Sequence, residues 1–138
     1  MKILKGRVIV SDGVCKGIAL VSEKPISFLG GVNPNNGIII EKNHDLSGKC
    51  IKDKILCFPH GHGSTVGSYV IYALAKNGVA PRAILNETAD PVVVVGAVLA
   101  NIPMIDRINI RELKTGDLLE IDCRNGIVRV LGENKPCT

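Results

Sequence analysis

The sequence predicts a three-layer α/β domain, with a barrel-like or sandwich β part and two main helices. Three observations predict it. Short apolar runs rich in Val, Ile and Leu are cut by Gly and Pro, which gives many short strands. Two longer segments in the middle of the chain carry helix signals. Their order is strands, helix, strand, helix, strands, which is not the regular alternation of a doubly wound fold.

Residues 5–10 alternate weakly and predict a first strand. Asp12-Gly13 turns the chain into a second strand over residues 17–21. Residues 25–36, with Gly30-Gly31 and Asn33-Pro34-Asn35-Asn36, predict a loop. Three consecutive Ile in residues 37–41 predict a buried strand, and residues 54–58 predict another, broken by residues 59–63.

Residues 64–76 have helical spacing: Val66, Val70, Ile71 and Leu74 share one face, and Asn77-Gly78 supplies the stop. Residues 83–85 predict a short strand. Residues 90–100 set two signals against each other. Four consecutive Val favour a strand, whereas Asp90 is a good N-cap and Pro91 a good first helical residue. The run is also long for a strand, so a buried helix is expected. Strands follow at 104–106, 118–123 and 127–131, the last two joined by an Asn125-Gly126 hairpin turn. The tail, 132–138, is expected to be loose.

Composition fits one compact domain over residues 1–138, with 46% hydrophobic residues and a core of Val, Ile, Leu and Ala because aromatics are only 3%. The excess of basic residues is mild, at +4, and the densest basic stretch, Lys49, Lys52 and Lys54, is interrupted by Asp53. With no aromatic platform beside it, that charge predicts a solvated surface, not a nucleic-acid partner. No apolar run approaches the ~20 residues a membrane span needs. The five cysteines, Cys15, Cys50, Cys57, Cys123 and Cys137, show no C-x-x-C spacing. Reduced thiols in a cytoplasmic protein, with no metal held by this chain, are expected.

Chemistry concentrates in residues 59–68, Pro-His-Gly-His-Gly-Ser-Thr-Val-Gly-Ser. They follow an apolar strand and open a helix, where backbone N–H groups lack internal partners and can hold an anion. Gly61 and Gly63 allow close approach of backbone to a ligand. Ser64 or Thr65 caps the helix and faces whatever binds there, and Ser64 is the candidate reactive residue. A cap alone also explains a Ser here. No Lys precedes the Ser as in a P-loop, and G-x-S-x-G is absent.

Ser64 cannot act as a base unaided. Its hydroxyl starts near the water value of ~15.7. A helix N-terminus supplies at most ~2 kcal/mol, roughly 1.5 pK units. A cation, a metal-bound substrate or another protein must supply the rest, and this chain offers no evident source.

Several stretches together carry a resemblance: Ile26-Ser27-Phe28-Leu29-Gly30-Gly31-Val32-Asn33-Pro34, residues 37–48 with His44, Gly63-Ser64-Thr65-Val66-Gly67-Ser68, Ala80-Pro81 and Gly96-Ala97. On these the chain resembles the small, swivelling-domain subunit of the aconitase X family. The resemblance implies a swivelling β/β/α fold and a heteromer with a larger subunit that carries an iron–sulfur cluster of the 4Fe–4S type. It implies a hydro-lyase in which Ser64 removes the proton while the cluster acts on the leaving hydroxyl, so this chain is expected to be inactive alone. The implied reaction is dehydration of (R)-5-phosphomevalonate to trans-anhydromevalonate 5-phosphate in a modified mevalonate route to isoprenoids. Other members act on hydroxyproline-type substrates.

Under this resemblance Gly63, Thr65, Gly31 and Asn33 are candidate substrate-binding residues, the last two as backbone donors of a Gly-Asn-Pro loop. Arg82 either pairs with a phosphate or is a surface Arg. A competing expectation is a phosphohistidine carrier domain, with His60 or His62 as acceptor. The Gly-Ser-Thr order after His62 does not match the Thr-Ser-His order of that family. A third is an anion-binding module without chemistry.

Overall fold

The structure is a computed structural model and describes residues 2–133. Its eight strands are β1 (Lys2–Lys5), β2 (Arg7–Val10), β3 (Val14–Val21), β4 (Ile55–Phe58), β5 (Ala83–Asn86), β6 (Met104–Asp106), β7 (Leu118–Asp122) and β8 (Ile127–Gly132). They line up in the order β1-β8-β7-β3-β4-β5-β6-β2. A one-turn element, α1 (Phe28–Gly31), precedes β4, and the two main helices, α2 (Gly67–Lys76) and α3 (Pro91–Ala100), follow β4 and β5.

Strand β3 joins two sheets. From Val14 to Ile18 it runs antiparallel to β7, and from Ala19 to Val21 it runs parallel to β4. Strands β4, β5 and β6 continue in parallel, and β2 closes that edge antiparallel to β6. Parallel neighbours need crossovers, which α2 and α3 provide on one face. The other face is covered by β7, β8 and β1.

The burial of β4 follows from its position between these layers. Leu56 and Phe58 pack with Ile71, Leu74 and Val93 on the helical side, whereas Ile55 and Cys57 pack with Leu119, Ile121 and Val128 between the sheets. Successive side chains point to opposite faces, so a strand covered on both sides reads as a continuous apolar run. The arrangement is the expected α/β fold of three layers, β/β/α.

Helix α3 forms because its start signals outweigh its Val run. Asp90 Oδ2 accepts the N–H groups of Val92 at 3.0 Å and Val93 at 3.4 Å, and Pro91 opens the helix. The helix is not buried all round as expected. Val93, Gly96 and Ala97 face the core, while Val95, Val98 and Leu99 are exposed. Gly96 lets α2 pack closely, since a Cβ there would lie 2.6 Å from Ile71 Cδ1. Ser68 Oγ–H donates to Val92 O at 2.6 Å and ties the head of α2 to that of α3.

Other expectations need correction. The single strand over 5–10 is two strands in different sheets, because β1 pairs with β8 and β2 with β6. At the break, a Cβ on Gly6 would lie 2.3 Å from Asp106 O, so only Gly fits. The strand over 37–41 is absent: Ile38 and Ile39 make isolated bridges to Cys50 and Val32, and Ile40 is exposed. Gly37, with φ +73° and its N–H donated to Asn33 O, turns the chain just before these residues. The helix expected from 64 starts at Gly67, preceded by single turns in which Ser64 O accepts from Gly67 N and Thr65 O from Ser68 N. The hairpin after β7 is a four-residue turn, 123–126, with Gly126 at φ +71° and Asp122 Oδ1 accepting the N–H groups of Arg124 and Asn125. Of the expected loose tail, Gly132 belongs to β8, and 134–138, including Cys137, lie outside the described residues.

Candidate functional site

The carboxyl ends of parallel strands, where loops leave for helix N-termini, form the usual ligand crevice of an α/β sheet. Here β4 ends at Phe58 and passes into Pro59, His60, Gly61, His62, Gly63 and Ser64 before α2. The loop is laced to the segment after β3: Ile26 N–H donates to His60 O at 3.3 Å and His62 N–H to Ile26 O at 3.1 Å. Its underside rests on α3, since a Cβ on Gly61 would lie 2.5 Å from Val93 Cγ2.

Ser64 sits exposed at the end of this loop. Its Oγ accepts the Val66 N–H at 3.2 Å, so the side chain caps the turn that leads into α2 and does not cap the helix itself, whose N-cap is Val66. Among the described residues the N–H groups of Gly63, Ser64 and Thr65 have no hydrogen-bond acceptor. Exposed N–H groups beside a helix N-terminus are of the kind that can hold an anion.

A second loop flanks the first. In α1, Leu29 (φ −75°, ψ 116°) and Gly30 (φ 81°, ψ −13°) have the dihedrals of a type II turn, which needs a residue with positive φ at its third position. Gly31 O accepts the N–H groups of Ile40 and Glu41. Glu41 Oε1 accepts the Ser27 N–H at 2.9 Å, and its Oε2 lies 3.5 Å from His62 Nε2. Ser27 in turn lies under Gly63, whose φ is +94°; a Cβ on Gly63 would be 2.4 Å from Ser27 Oγ. Sequence reading missed Glu41 and Ser27, because nothing local links positions 27, 41 and 62.

The structure thus brings together Ser64, Gly63, Thr65 and, through Glu41, Gly31. It places Asn33 elsewhere: Asn33 N–H, O and Oδ1 are all bonded within its own turn, to Ile38, Gly37 and Asn35. That turn is tied to the C-terminal end of α2 by Asn77 Nδ2–H donating to Pro34 O at 2.7 Å. Arg82 lies before the amino end of β5, where it donates to Lys16 O. His60 Nδ1–H donates to Gly61 O at 2.8 Å. His44 is buried and structural. It accepts the Leu46 N–H at Nδ1 and donates from Nε2 to Pro25 O, which clips residues 42–48 to the segment between β3 and α1.

A cleft of about 320 Å³ adjoins Thr65, between α2 and α3, lined by Ser68, Tyr69, Pro91, Val92, Val95 and Leu99. A larger one, about 480 Å³, opens at the opposite edge beside Arg82, Cys15 and Asp12 and contains none of the Ser64 loop.

The four described cysteines do not fit an iron–sulfur cluster. Among the described residues no group of three or more His, Cys, Asp or Glu side chains is arranged for a metal. Burial pushes the Cys57 thiol far up, and burial beside Cys15 pushes Cys123 up to about 12, so neither favours the thiolate a metal needs. No helix among the described residues is long and apolar enough to cross a membrane.

Near the other carboxyl ends, Arg7 and Asp106 form a bidentate pair at 3.0 and 2.8 Å. Asp106 Oδ2 also accepts the Ala89 N–H, which secures the approach to α3. Desolvation would raise the Asp106 carboxyl, but the hydrogen bonds from Arg7 and Ala89 and the charges of Arg7 and Arg107 outweigh it and hold it below the ordinary range.

The chain is similar to known proteins over almost its whole length. The model of the aconitase X swivel domain matches residues 3–130. A curated relative from Thermococcus sibiricus, phosphomevalonate dehydratase small subunit, is 53% identical over 92% of this chain and 97% of its own length. The protein of the same name from Methanocaldococcus jannaschii is 52% identical over 94% of this chain and 98% of its own. The crystal structure of Thermococcus kodakaraensis aconitase X in its holo-form superposes with a TM-score of 0.93 at 49% identity, covering 95% of this chain and 99% of that one. The fold and these matches agree: the chain belongs to the aconitase X swivel domain family.

Proposed function

We propose that this chain is the small subunit of a phosphomevalonate dehydratase and that Ser64 is the base that takes the proton from the substrate carbon. The name carried by the relatives at about half identity supports the substrate. The exposed Ser64 Oγ, bonded to one N–H and set among three unpartnered N–H groups, is the observation that carries the mechanism.

An N–H aimed at Oγ stabilises the alkoxide more than the hydroxyl, because a charged acceptor makes the stronger hydrogen bond. The donors of Gly63, Ser64 and Thr65 orient a carboxylate or phosphate of the substrate against that oxygen. Gly31, on the neighbouring loop, is buried and reaches this loop through its contact with Glu41. The Val66 N–H narrows the gap between the hydroxyl's ordinary pKa and neutral pH without closing it, so a second chain completes the site. A 4Fe–4S cluster on the larger partner subunit would supply Lewis acidity toward the leaving hydroxyl.

A partner is also supported by the surface around Ser64. Tyr69, Val95 and Leu99 line the cleft beside Thr65 and are exposed, as are Val66 and Val98 on the same two-helix layer, and exposed apolar patches mark association sites. The four described cysteines are free thiols, which suits a cytoplasmic location for a domain spanning the whole chain.

The test is reconstitution of this chain with a cluster-bearing large subunit, with (R)-5-phosphomevalonate as substrate and NMR detection of the dehydrated product. Product is expected from the two chains together and from neither alone. Turnover of a hydroxyproline-type substrate in place of the phosphorylated one would contradict the proposal.

A further inference from the structure

We propose that Glu41 is a positioning residue for Ser64, a role that rests on the function proposed above. Its carboxylate stands where three separate segments meet. Oε1 accepts the Ser27 N–H at 2.9 Å, and Oε2 lies 3.5 Å from His62 Nε2, two residues before Ser64. Glu41 N–H donates to Gly31 O, and a Cβ on Gly31 would lie 2.7 Å from Glu41 Oε1, so this loop has room for the carboxylate only because residue 31 is Gly.

Each contact bears on a different wall of the site. The bond to Ser27 fixes the residue whose Oγ lies under Gly63, and Gly63 is held at φ +94° directly before Ser64. The contact with His62 holds the same loop from its other side. The packing at Gly31 sets the neighbouring loop. One side chain, three-quarters buried, therefore sets the separation of the two glycine loops that flank the reacting oxygen. Displacement of a reacting group by about 1 Å costs up to ~100-fold in rate, so a residue that touches no substrate can control turnover here.

The test uses the full chain for backbone amide NMR and the reconstituted complex for turnover. In Glu41→Ala the amide signals of Ser27, Gly31, Gly63 and Ser64 should move while those of β7 and β8 stay. In the complex kcat should fall about 10- to 100-fold, a larger factor than any rise in KM, because the reacting oxygen is displaced while the donors that hold the substrate remain. Glu41→Gln keeps an acceptor for the Ser27 N–H and should recover part of kcat. If Glu41→Ala fails to fold, Glu41→Asp decides the matter: its shorter arm must shift the Gly63 and Ser64 amides. Unmoved Gly63 and Ser64 amides with kcat within about twofold of wild type would overturn the proposal. A wild-type complex without dehydratase turnover would sink the functional reading instead and leave the amide test standing.

Discussion

The Ser64 hydroxyl oxygen accepts the Val66 N–H at 3.2 Å, so one atom serves both as turn cap and as candidate base. The two roles separate on mutation. Ser64 is exposed, and the first α-helical residue is Gly67, three positions on. Ser64→Ala should therefore remain folded and lose about 1 kcal/mol or less, the ordinary cost of a removed cap. Urea denaturation of the isolated chain measures it, and a loss of fold would mean that Ser64 has a structural role absent from this geometry.

Gly63 is more tightly constrained than Gly30, the positive-φ glycine of the flanking loop. Both have positive φ, but a Cβ on Gly63 would meet Ser27 Oγ at 2.4 Å, whereas a Cβ on Gly30 meets nothing within 4 Å. Gly63→Ala should cost about 1–3 kcal/mol from backbone strain together with displacement of Ser27. Gly30→Ala should cost about 1 kcal/mol from strain alone. Paired denaturation curves check the order.

Asp106 makes stability sensitive to acid. Its folded carboxyl is depressed below the ordinary range, against desolvation, by the bonds from Arg7 and Ala89. A depressed carboxylate contributes stability that is fully present above its unfolded value near 3.9 and is lost as pH falls through the folded value. Asp106→Asn should flatten the fall in stability below about pH 4, and at neutral pH it should be less stable than wild type. Midpoints measured in urea from pH 2 to pH 7 test both.

Much of the fold was legible because local signals agreed with the layers. Asp90 and Pro91 outweighed four Val and marked α3, and Asn77-Gly78 marked the end of α2. What was not legible depends on distant partners. Nothing in residues 2–10 says that Gly6 divides strands belonging to two sheets; the reason is Asp106 O, a hundred residues away. The three Ile at 38–40 look like a strand, but no neighbouring ladder exists for them and only Ile39 is fully buried.

The same division holds at the site. Ser64 and Gly63 were legible from a glycine-rich turn between a strand and a helix. Glu41 and Ser27 were not, since their link to His62 and Gly63 exists only once residues 25–28 run beside residues 60–62. Asn33 shares a loop with Gly31, yet its N–H, O and Oδ1 are bonded within its own turn, which is tied to the C-terminal end of α2.

The central claim is that Ser64 removes the proton in a site completed by a second chain. Its most direct test is the kcat of the reconstituted two-chain complex with wild-type chain and with Ser64→Ala, measured on (R)-5-phosphomevalonate. The account predicts that the variant assembles normally and loses at least about 1,000-fold in kcat, since the base is removed while the backbone N–H groups around it stay. A Ser64→Ala complex that turns over at the wild-type rate would contradict it.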